Sequence, residues 1–219
     1  GELSGQLIVA RDGHVLVERC WGAADRERRA PMTPTTPMCI ASITKPVTQV
    51  IALQLIREDR LALGDSIGRL LPGFPHGRIT VDQLLNHRGG IPHRVTTADD
   101  ERRRMTPADV TARAGATPLL FEPGARSVYS SAGYTVLARV LEAASGRTWD
   151  DLVRERVIGP AGLAHTVPSA GRDDALPGRA TAYLPSARGE PAATSKDLSF
   201  LAGAGSMWST ARDLLRLSR

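Results

Sequence analysis

The turn signals near the N-terminus constrain the fold most, because they predict one β-hairpin ahead of a chain that otherwise reads as helical. Residues 6–11 and 14–20 are rich in strand-forming side chains and flank Asp12-Gly13. Asp-Gly between two such segments is a strong signal for a two-residue hairpin turn. A hairpin by itself is barely stable in water. No further strand is evident in the sequence, so we expect the missing strands to come either from a second chain or from polypeptide outside these 219 residues.

Helices are predicted along most of the remaining chain. Residues 42–57 carry apolar side chains on most sides, so we expect this helix in the middle of the domain. Pro46 is tolerated in its first turn, where the backbone N–H has no intrahelical partner. Cap and stop signals predict further helices at 65–71, 81–87, 106–115, 132–144 and 148–157, and one that opens at Thr210. Pro160 is expected to stop the helix before it, residues 30–38 to be extended, and residues 165–204 to be mostly loop.

Composition limits the classes of function. The chain has 42% hydrophobic and 23% charged residues, as expected for one globular domain or two closely packed subdomains. The net charge is +5, but the basic residues are scattered and no aromatic residues alternate with the dense run 102–104, so nucleic acid is not an expected partner. No apolar segment approaches the roughly 20 residues of a membrane helix. We therefore predict a soluble protein, either cytoplasmic or secreted with its signal peptide removed.

Neither the cysteines nor the histidines have the spacing of a metal site. Cys20 and Cys39 could form a disulfide or remain as two reduced thiols. The five histidines show no spacing typical of zinc ligands. No metal or other cofactor is predicted.

Lysine is almost absent, and this draws attention to the two that remain. Of 28 lysines and arginines, only Lys45 and Lys196 are lysines. A buried lysine can lose its proton, whereas an arginine cannot. Lys45 follows Ser42 by three residues, so on a helix its amine should reach the serine hydroxyl. Burial would lower the pKa of the Lys45 amine, which could then act as the base for a Ser42 nucleophile.

The alternative interpretation of the Ser42–Lys45 pair is a capping serine beside a surface lysine. At the start of a helix, Ser42 would also have free backbone N–H groups nearby that suit a developing oxyanion. The other lysine, Lys196, is predicted to be a solvated loop residue. A second element, Tyr129, lies on a loop before the helix at 132–144. Its hydroxyl could relay a proton if a cation such as Lys45 lowered its pKa. A half-buried tyrosine without a catalytic role is the alternative.

Several segments, taken in order, resemble the serine β-lactamase and penicillin-binding-protein superfamily. The resemblance is strongest to its branch of class C β-lactamases, D-peptidases and carboxylesterases, and it extends from about residue 5 to residue 217. Ala41-Ser42-Ile43-Thr44-Lys45-Pro46 is similar to the S-x-x-K nucleophile motif. The other similar segments are 79–92, which ends in a glycine turn, 121–134, which surrounds Tyr129, and 203–214.

The resemblance implies an α+β fold, in which a helical region packs on an antiparallel sheet. Residues 1–219 would form a single domain that lacks C-terminal strands of the sheet. By the same resemblance, Ser42 is the acylated nucleophile, Lys45 its base and Tyr129 the proton relay, and no metal or organic cofactor takes part. Trp208 would lie near the acyl pocket, with a plain core tryptophan as the alternative. The expected partner is a small-molecule or peptide acyl substrate.

Two departures from the family pattern bear on the substrate. Ser131 stands where the family usually has asparagine; it remains a predicted substrate contact, but its shorter reach favours an ester or thioester. The family's Lys- or His-x-Gly motif on a C-terminal strand is absent, and His87-Arg88-Gly89 fits it by letters alone. We expect His87 to be a packed, hydrogen-bonded residue.

These observations rank the functions. Hydrolysis of carboxylic esters comes first, hydrolysis of D-peptides or β-lactams second, and acyl transfer third. A catalytically inactive relative that binds a ligand or peptidoglycan is the alternative from another class.

Overall fold

The N-terminal hairpin forms as the sequence predicts. The computed structural model describes residues 3–169, 176, 178–184, 192–194 and 196–219. Strands β1 (Gly5–Arg11) and β2 (His14–Trp21) pair antiparallel, with an irregularity between Val9 and Ala10. Asp12 and Gly13 have φ values of 50° and 82°. Positive φ at both central residues is what a type I′ turn requires, and this turn matches the twist of the two strands.

Short strand pairs follow the hairpin, although no further strand is evident in the sequence. β3 (Ala23–Asp25) pairs with β4 (Ala30–Pro31). β3 lies just before the connector predicted at 30–38, and β4 lies at its start. β5 (Met38–Cys39) pairs across the chain with a strand at Trp208–Ser209, and two more strands pair at Tyr183–Leu184 and Ala192–Ala193. These pairs are two or three residues long and carry no alternating pattern, which explains why the sequence did not reveal them.

The remaining elements are mostly helices. In chain order they are a 3₁₀ turn (Ala41–Ile43), α1 (Thr44–Arg57), α2 (Ile67–Leu70), α3 (Val81–Leu85), a 3₁₀ turn (Asp100–Arg102), α4 (Pro107–Gly115), α5 (Ser131–Ser145), α6 (Trp149–Val153), a π-helical segment (Arg154–Ile158), α7 (Gly159–Ala161), β6 (Tyr183–Leu184), β7 (Ala192–Ala193), a 3₁₀ turn (Leu198–Leu201), β8 (Trp208–Ser209) and α8 (Ala211–Leu217).

Side-chain caps determine where several helices begin. Thr80 and Thr106 form capping boxes with the residues three positions later, at the start of α3 and α4. Thr210 accepts a hydrogen bond from the backbone N–H of Asp213 and starts α8. α5 ends before Gly146, which has a left-handed backbone with φ of 69°. These local signals explain why the predicted boundaries agree with the observed ones to within a few residues.

α1 begins at Thr44, close to the predicted start, because Ala41–Ile43 forms a 3₁₀ turn; of its apolar side chains, Val50 and Leu53 are 45% and 56% exposed. One prediction about helices was wrong: the helical structure does not end before Pro160. The π-helical segment leads into α7, which contains Pro160 and ends at Gly162 in a left-handed conformation.

α5 lies at the centre of the helical core. It packs against α1, α2, α3, α4 and α6. Its side chains Tyr134, Leu137 and Leu141 are almost completely buried, together with Ile51 and Leu55 from α1. Burial of such side chains stabilises a fold by about 1.5–3 kcal/mol each. The architecture is α+β, as the resemblance implied.

The hairpin packs on the helical region through α8. The backbone N–H of Ala211 donates to Gln6 Oε1 at 2.8 Å, and Arg212 forms an ion pair with Glu18. Much of the hairpin surface nevertheless faces solvent. Six large apolar side chains of the hairpin are 39–57% exposed: Leu7, Val9, Val15, Leu16, Val17 and Trp21. Within the described part of the chain, no other strand pairs with β1 or β2.

Two smaller points follow from the described residues. Cys20 and Cys39 are free thiols, so the disulfide considered from the sequence does not form. Among the helices described here, none is both long and apolar enough to cross a membrane.

Candidate active site

Ser42 lies in the 3₁₀ turn that connects β5 with α1. The Ile40 N–H donates to the Met207 carbonyl at 3.0 Å, and the Met207 N–H donates to Thr44 Oγ1 at 3.3 Å. These bonds, with the β5–β8 pair, fix the turn against residues 203–209. Ala41 has φ of 44°, a left-handed conformation that is uncommon for a residue with a side chain and is found at functional sites. Ser42 itself is exposed.

Lys45 is buried directly beneath Ser42. Its side chain is 5% exposed, and its Nζ lies 3.2 Å from Ser42 Oγ. The same Nζ donates to the Ala204 carbonyl oxygen at 2.8 Å and lies 3.4 Å from Ser131 Oγ. Three acceptors from three separate parts of the chain therefore surround this amine and fix its position.

The Ala204 carbonyl reaches Lys45 because the chain before it packs tightly on the helices. Gly203 has φ of 76°, and a Cβ there would lie 2.7 Å from Ala138 Cβ and 2.8 Å from the Tyr134 carbonyl oxygen. Only glycine avoids both the backbone strain and the clash. Thr48 Oγ1 donates to the Gly203 carbonyl at 2.6 Å. The loop is thereby held between α1 and α5.

Tyr129 contacts both Ser42 and Lys45. Its hydroxyl donates to Ser42 Oγ at 2.7 Å, and the Lys45 Nζ lies 4.7 Å from the centre of its ring. Burial raises the pKa of the Tyr129 hydroxyl, but hydrogen bonding to Lys45 and Ser42 and the Lys45 charge act against it. The net result is a pKa below the ordinary value for tyrosine.

Two histidines hold the backbone around Tyr129. His87 Nδ1 accepts the Ser130 N–H at 3.2 Å, and His93 Nδ1 accepts the Ser131 N–H at 3.3 Å. The ring centre of His87 lies 4.6 Å from that of Tyr129, and the ring centre of His93 lies 5.6 Å from it. His87 is thus packed and hydrogen-bonded, as expected. Nothing in the sequence indicated that His93 belongs to the site, because its contact with Ser131 joins residues 38 positions apart.

The other two predicted site residues lie in different surroundings. Ser131 is buried at the start of α5, beside Lys45. Trp208 is 6% exposed in the β5–β8 pair, with the Arg179 guanidinium 5.1 Å from its ring centre. Trp208 does not line the cavity next to Ser42. The structure therefore brings Ser42, Lys45, Tyr129 and Ser131 together and leaves Trp208 apart.

A cavity of about 270 Å³ opens beside Ser42. Ser42 and Ser131 line it together with apolar and basic side chains. Among the residues with described positions, no group of three His, Cys, Asp or Glu side chains is arranged to hold a metal ion. The arrangement offers a hydroxyl, an amine and a phenol within hydrogen-bond distance of one another, next to a space for an organic group.

Comparison with known proteins identifies the family. The Beta-lactamase family model matches residues 1–219, and the chain belongs to that family. A D-aminopeptidase of Brucella anthropi is 34% identical over 166 residues, which cover 73% of this chain and 31% of that protein. Among solved structures, EstCE1, a hydrolase with promiscuous acyltransferase activity, superposes with a TM-score of 0.80 at 27% identity. That match covers 98% of this chain and 66% of EstCE1.

A penicillin-binding protein from Bacillus halodurans gives a TM-score of 0.84 at 26% identity, over 99% of this chain and 68% of that protein. These matches confirm the resemblance read from the motifs and the fold class. The curated relatives are longer: the chain spans 38%, 31% and 54% of the first three that it matches.

The His87 contacts predict a pH-dependent loss of stability. Burial first, then the charges of Lys45 and His93, lower the pKa of His87. The unfolded chain therefore binds a proton at His87 more readily than the folded chain, so this contribution is complete above the unfolded pKa of about 6.5 and is lost as pH falls below it. His87→Asn keeps a residue that tolerates φ of 57° and removes the titrating group.

We expect His87→Asn to lose less free energy of unfolding than the wild type between pH 7.5 and pH 5.0, measured by urea denaturation. His14→Asn, at an exposed hairpin position, is the control and should follow the wild type. An identical pH dependence for wild type and His87→Asn would contradict the interpretation.

Proposed function

We propose that this chain carries the nucleophile side of a serine hydrolase active site, in which Ser42 becomes acylated. The observation that carries this proposal is that Ser42 Oγ lies within hydrogen-bond distance of both Lys45 Nζ and the Tyr129 hydroxyl, at 3.2 and 2.7 Å. A serine hydroxyl attacks a carbonyl well only when a base removes its proton. The geometry supplies both such a base and a proton carrier within hydrogen-bond distance of Ser42 Oγ.

The roles follow from the contacts. Lys45 donates N–H bonds to Ala204 and Ser131, and in the proposed step its deprotonated amine turns the lone pair toward the Ser42 hydroxyl. Ser42 Oγ attacks the substrate carbonyl carbon while its proton moves to Lys45. The charge on the protonated Lys45 helps lower the pKa of Tyr129, which donates its hydroxyl proton to the leaving group as the carbon–oxygen bond breaks and takes up the proton that Lys45 received. Water then attacks the acyl-enzyme by the reverse proton path and restores Ser42.

The start of α1 contributes to oxyanion stabilisation in this proposal. Ser42 lies at the N-terminal end of the 3₁₀ turn and α1, where backbone N–H groups and the helix dipole favour negative charge. Family members take a further donor from the strand that carries the Lys- or His-x-Gly motif. We propose that this strand lies outside residues 1–219.

Carboxylic esters are the substrates that we propose first. Ser131 is short and buried, and its oxygen accepts a hydrogen bond from Lys45, so its hydroxyl reaches less far toward a peptide carbonyl than the asparagine usual in the family. Hydrolysis of D-peptides or β-lactams comes second, because one matching relative is a D-aminopeptidase. Acyl transfer comes third, because EstCE1 is described as having promiscuous acyltransferase activity. A non-catalytic ligand-binding relative is disfavoured by the contacts that converge on Ser42.

The nucleophile assignment predicts the effect of two substitutions on covalent labelling. Ser42→Ala should abolish the mass shift produced by a fluorophosphonate, because the attacking oxygen is gone. Lys45→Arg should reduce the labelling rate by at least about a hundredfold, since arginine cannot accept the proton. Intact-mass spectrometry against time measures both.

A control separates these effects from general damage. Ser218→Ala removes an exposed hydroxyl at the end of α8 and should label at the wild-type rate. Full labelling of Lys45→Arg would refute the base assignment, and no labelling of the wild type in the complete gene product would favour the ligand-binding alternative.

We also propose that residues 1–219 are part of one domain whose sheet continues beyond them. The exposed apolar side chains of the β1–β2 hairpin support this, because such a surface is normally covered. Strands from elsewhere in the same polypeptide would cover it, and a second chain is the alternative.

This architecture predicts slow hydrogen exchange at the hairpin edges in the complete gene product. Backbone N–H groups of β1 and β2 that point away from the hairpin should be protected there and exchange rapidly in residues 1–219 alone. Mass-spectrometric hydrogen exchange compares the two. Equally rapid exchange in both would rule out the additional strands, whereas protection that increases with protein concentration would indicate a second chain.

A further inference from the structure

The cavity beside Ser42 has two kinds of wall. Apolar side chains of the lining come from Val95, Val110, Leu198, Phe200 and Leu201. The same lining contains Arg94 and Lys196, besides Ser42 and Ser131. An acyl group bound to Ser42 would therefore share this cavity with an apolar surface and two cations.

A buried carboxylate holds both cations in place. Glu101 has a side chain only 3% exposed, and its two oxygens bind Lys196 Nζ at 2.6 Å and Arg94 Nε at 3.2 Å. Thr96 Oγ1 donates to Glu101 Oε1 at 3.2 Å. The carboxylate lies behind the cavity wall and does not line it. Lys196 is a partly exposed loop residue, as expected, but its amine is also tied to a buried anion 95 residues away.

The charges do not cancel at the cavity surface. One negative charge on Glu101 stands against two positive charges, and the residues described as lining the cavity include no carboxylate. Arg94 contacts Glu101 through Nε, and its side chain is 60% exposed. Lys196 has three N–H donors, of which Glu101 takes one. The lining therefore presents cationic donors with net positive charge.

We propose that this site selects substrates whose acyl group ends in a negatively charged group, such as a half-ester of a dicarboxylic acid. The apolar wall accommodates the methylene chain, and Lys196 with Arg94 binds the terminal carboxylate by charge-assisted hydrogen bonds. The covalent step is unchanged: the acyl carbon transfers to Ser42 Oγ, the alcohol leaves with the proton, and water releases the diacid. This inference rests on the proposed function and specifies its substrate class.

A purely structural role for the cations is the competing explanation. The Lys196–Glu101 pair also fastens the segment before the 3₁₀ turn at Leu198–Leu201, as does the bond from the Asp197 N–H to the Glu101 carbonyl. Loss of a structural tie would slow all esters alike. Loss of anion recognition would slow only the charged ones.

The experiment compares matched pairs of esters on the complete gene product. The mono-p-nitrophenyl esters of succinate, adipate and suberate are paired with p-nitrophenyl butyrate, hexanoate and octanoate, and kcat/KM is measured for each. The wild type should prefer the charged ester of at least one pair. Lys196→Gln and Arg94→Gln should each reduce that preference about three- to tenfold, as expected for one charge-assisted contact at a partly exposed site.

Two further variants sharpen the comparison. Lys196→Arg keeps the charge and should retain the preference. Arg57→Gln removes an exposed cation from the last turn of α1, at the far end of that helix from Ser42, and should leave it unchanged. Because neutral esters do not contact the cations, their turnover by Lys196→Gln also reports whether the variant folds.

The outcomes separate the two proposals. No preference for any charged ester, or a preference that survives both Lys196→Gln and Arg94→Gln, overturns the inference while turnover of the neutral esters still supports a serine hydrolase. An equal loss on charged and neutral esters also overturns it, in favour of the structural tie. If no ester is hydrolysed through Ser42, the proposed function fails, and the inference fails with it.

Discussion

The buried amine of Lys45 is the interaction on which the rest of the site depends. A charged or polar group removed from water is costly unless hydrogen bonds replace its hydration. Its three partners come from the turn before α1, the first residue of α5 and the loop at Ala204. Satisfying one amine therefore fixes three otherwise separate segments relative to one another. The same contacts orient the amine toward Ser42.

The tight packing of the loop that carries Ala204 sets one of the distances within the site. Gly203 allows the backbone to lie against Ala138 and Tyr134, at a distance where any side chain would clash. That close approach places the next carbonyl over Lys45. His87 and His93 hold the Tyr129 loop in a similar way, because each accepts a backbone N–H just after Tyr129. Backbone positions, held by tight packing and by ring nitrogens, thus set the distances within the site.

Much of this could be predicted where the signal is local. Asp12-Gly13 predicted the hairpin turn, Thr80 and Thr106 predicted helix starts, and each depends on residues within three positions. The Ser42–Lys45 spacing predicted their proximity for the same reason. The order of the motifs along the chain indicated the family and, through it, the closeness of Tyr129. Nothing in composition or periodicity alone would have brought that tyrosine to Ser42.

The remainder depends on contacts between distant parts of the chain. The Ala204 carbonyl lies 159 residues from Lys45, and a backbone acceptor leaves no mark on the residue type. The tie between Lys196 and Glu101 could not be predicted, because the two residues are far apart in sequence. The short strand at Trp208 depends on pairing with Met38–Cys39, which buries the tryptophan away from the cavity. The sequence also could not show which apolar side chains of α1 stay exposed, because the residue type is the same whether or not another element covers it.

Two hydroxyls lie near the Lys45 amine, so identifying the acylated one tests the central claim most directly. Ser42 is exposed and also hydrogen-bonded by Tyr129, whereas Ser131 is buried and lies at 3.4 Å from the amine. Peptide mapping by tandem mass spectrometry, after brief exposure of the complete gene product to a fluorophosphonate, locates the adduct. The account predicts modification of Ser42 alone. An adduct on Ser131, or on any other residue while Ser42 stays free, would contradict it.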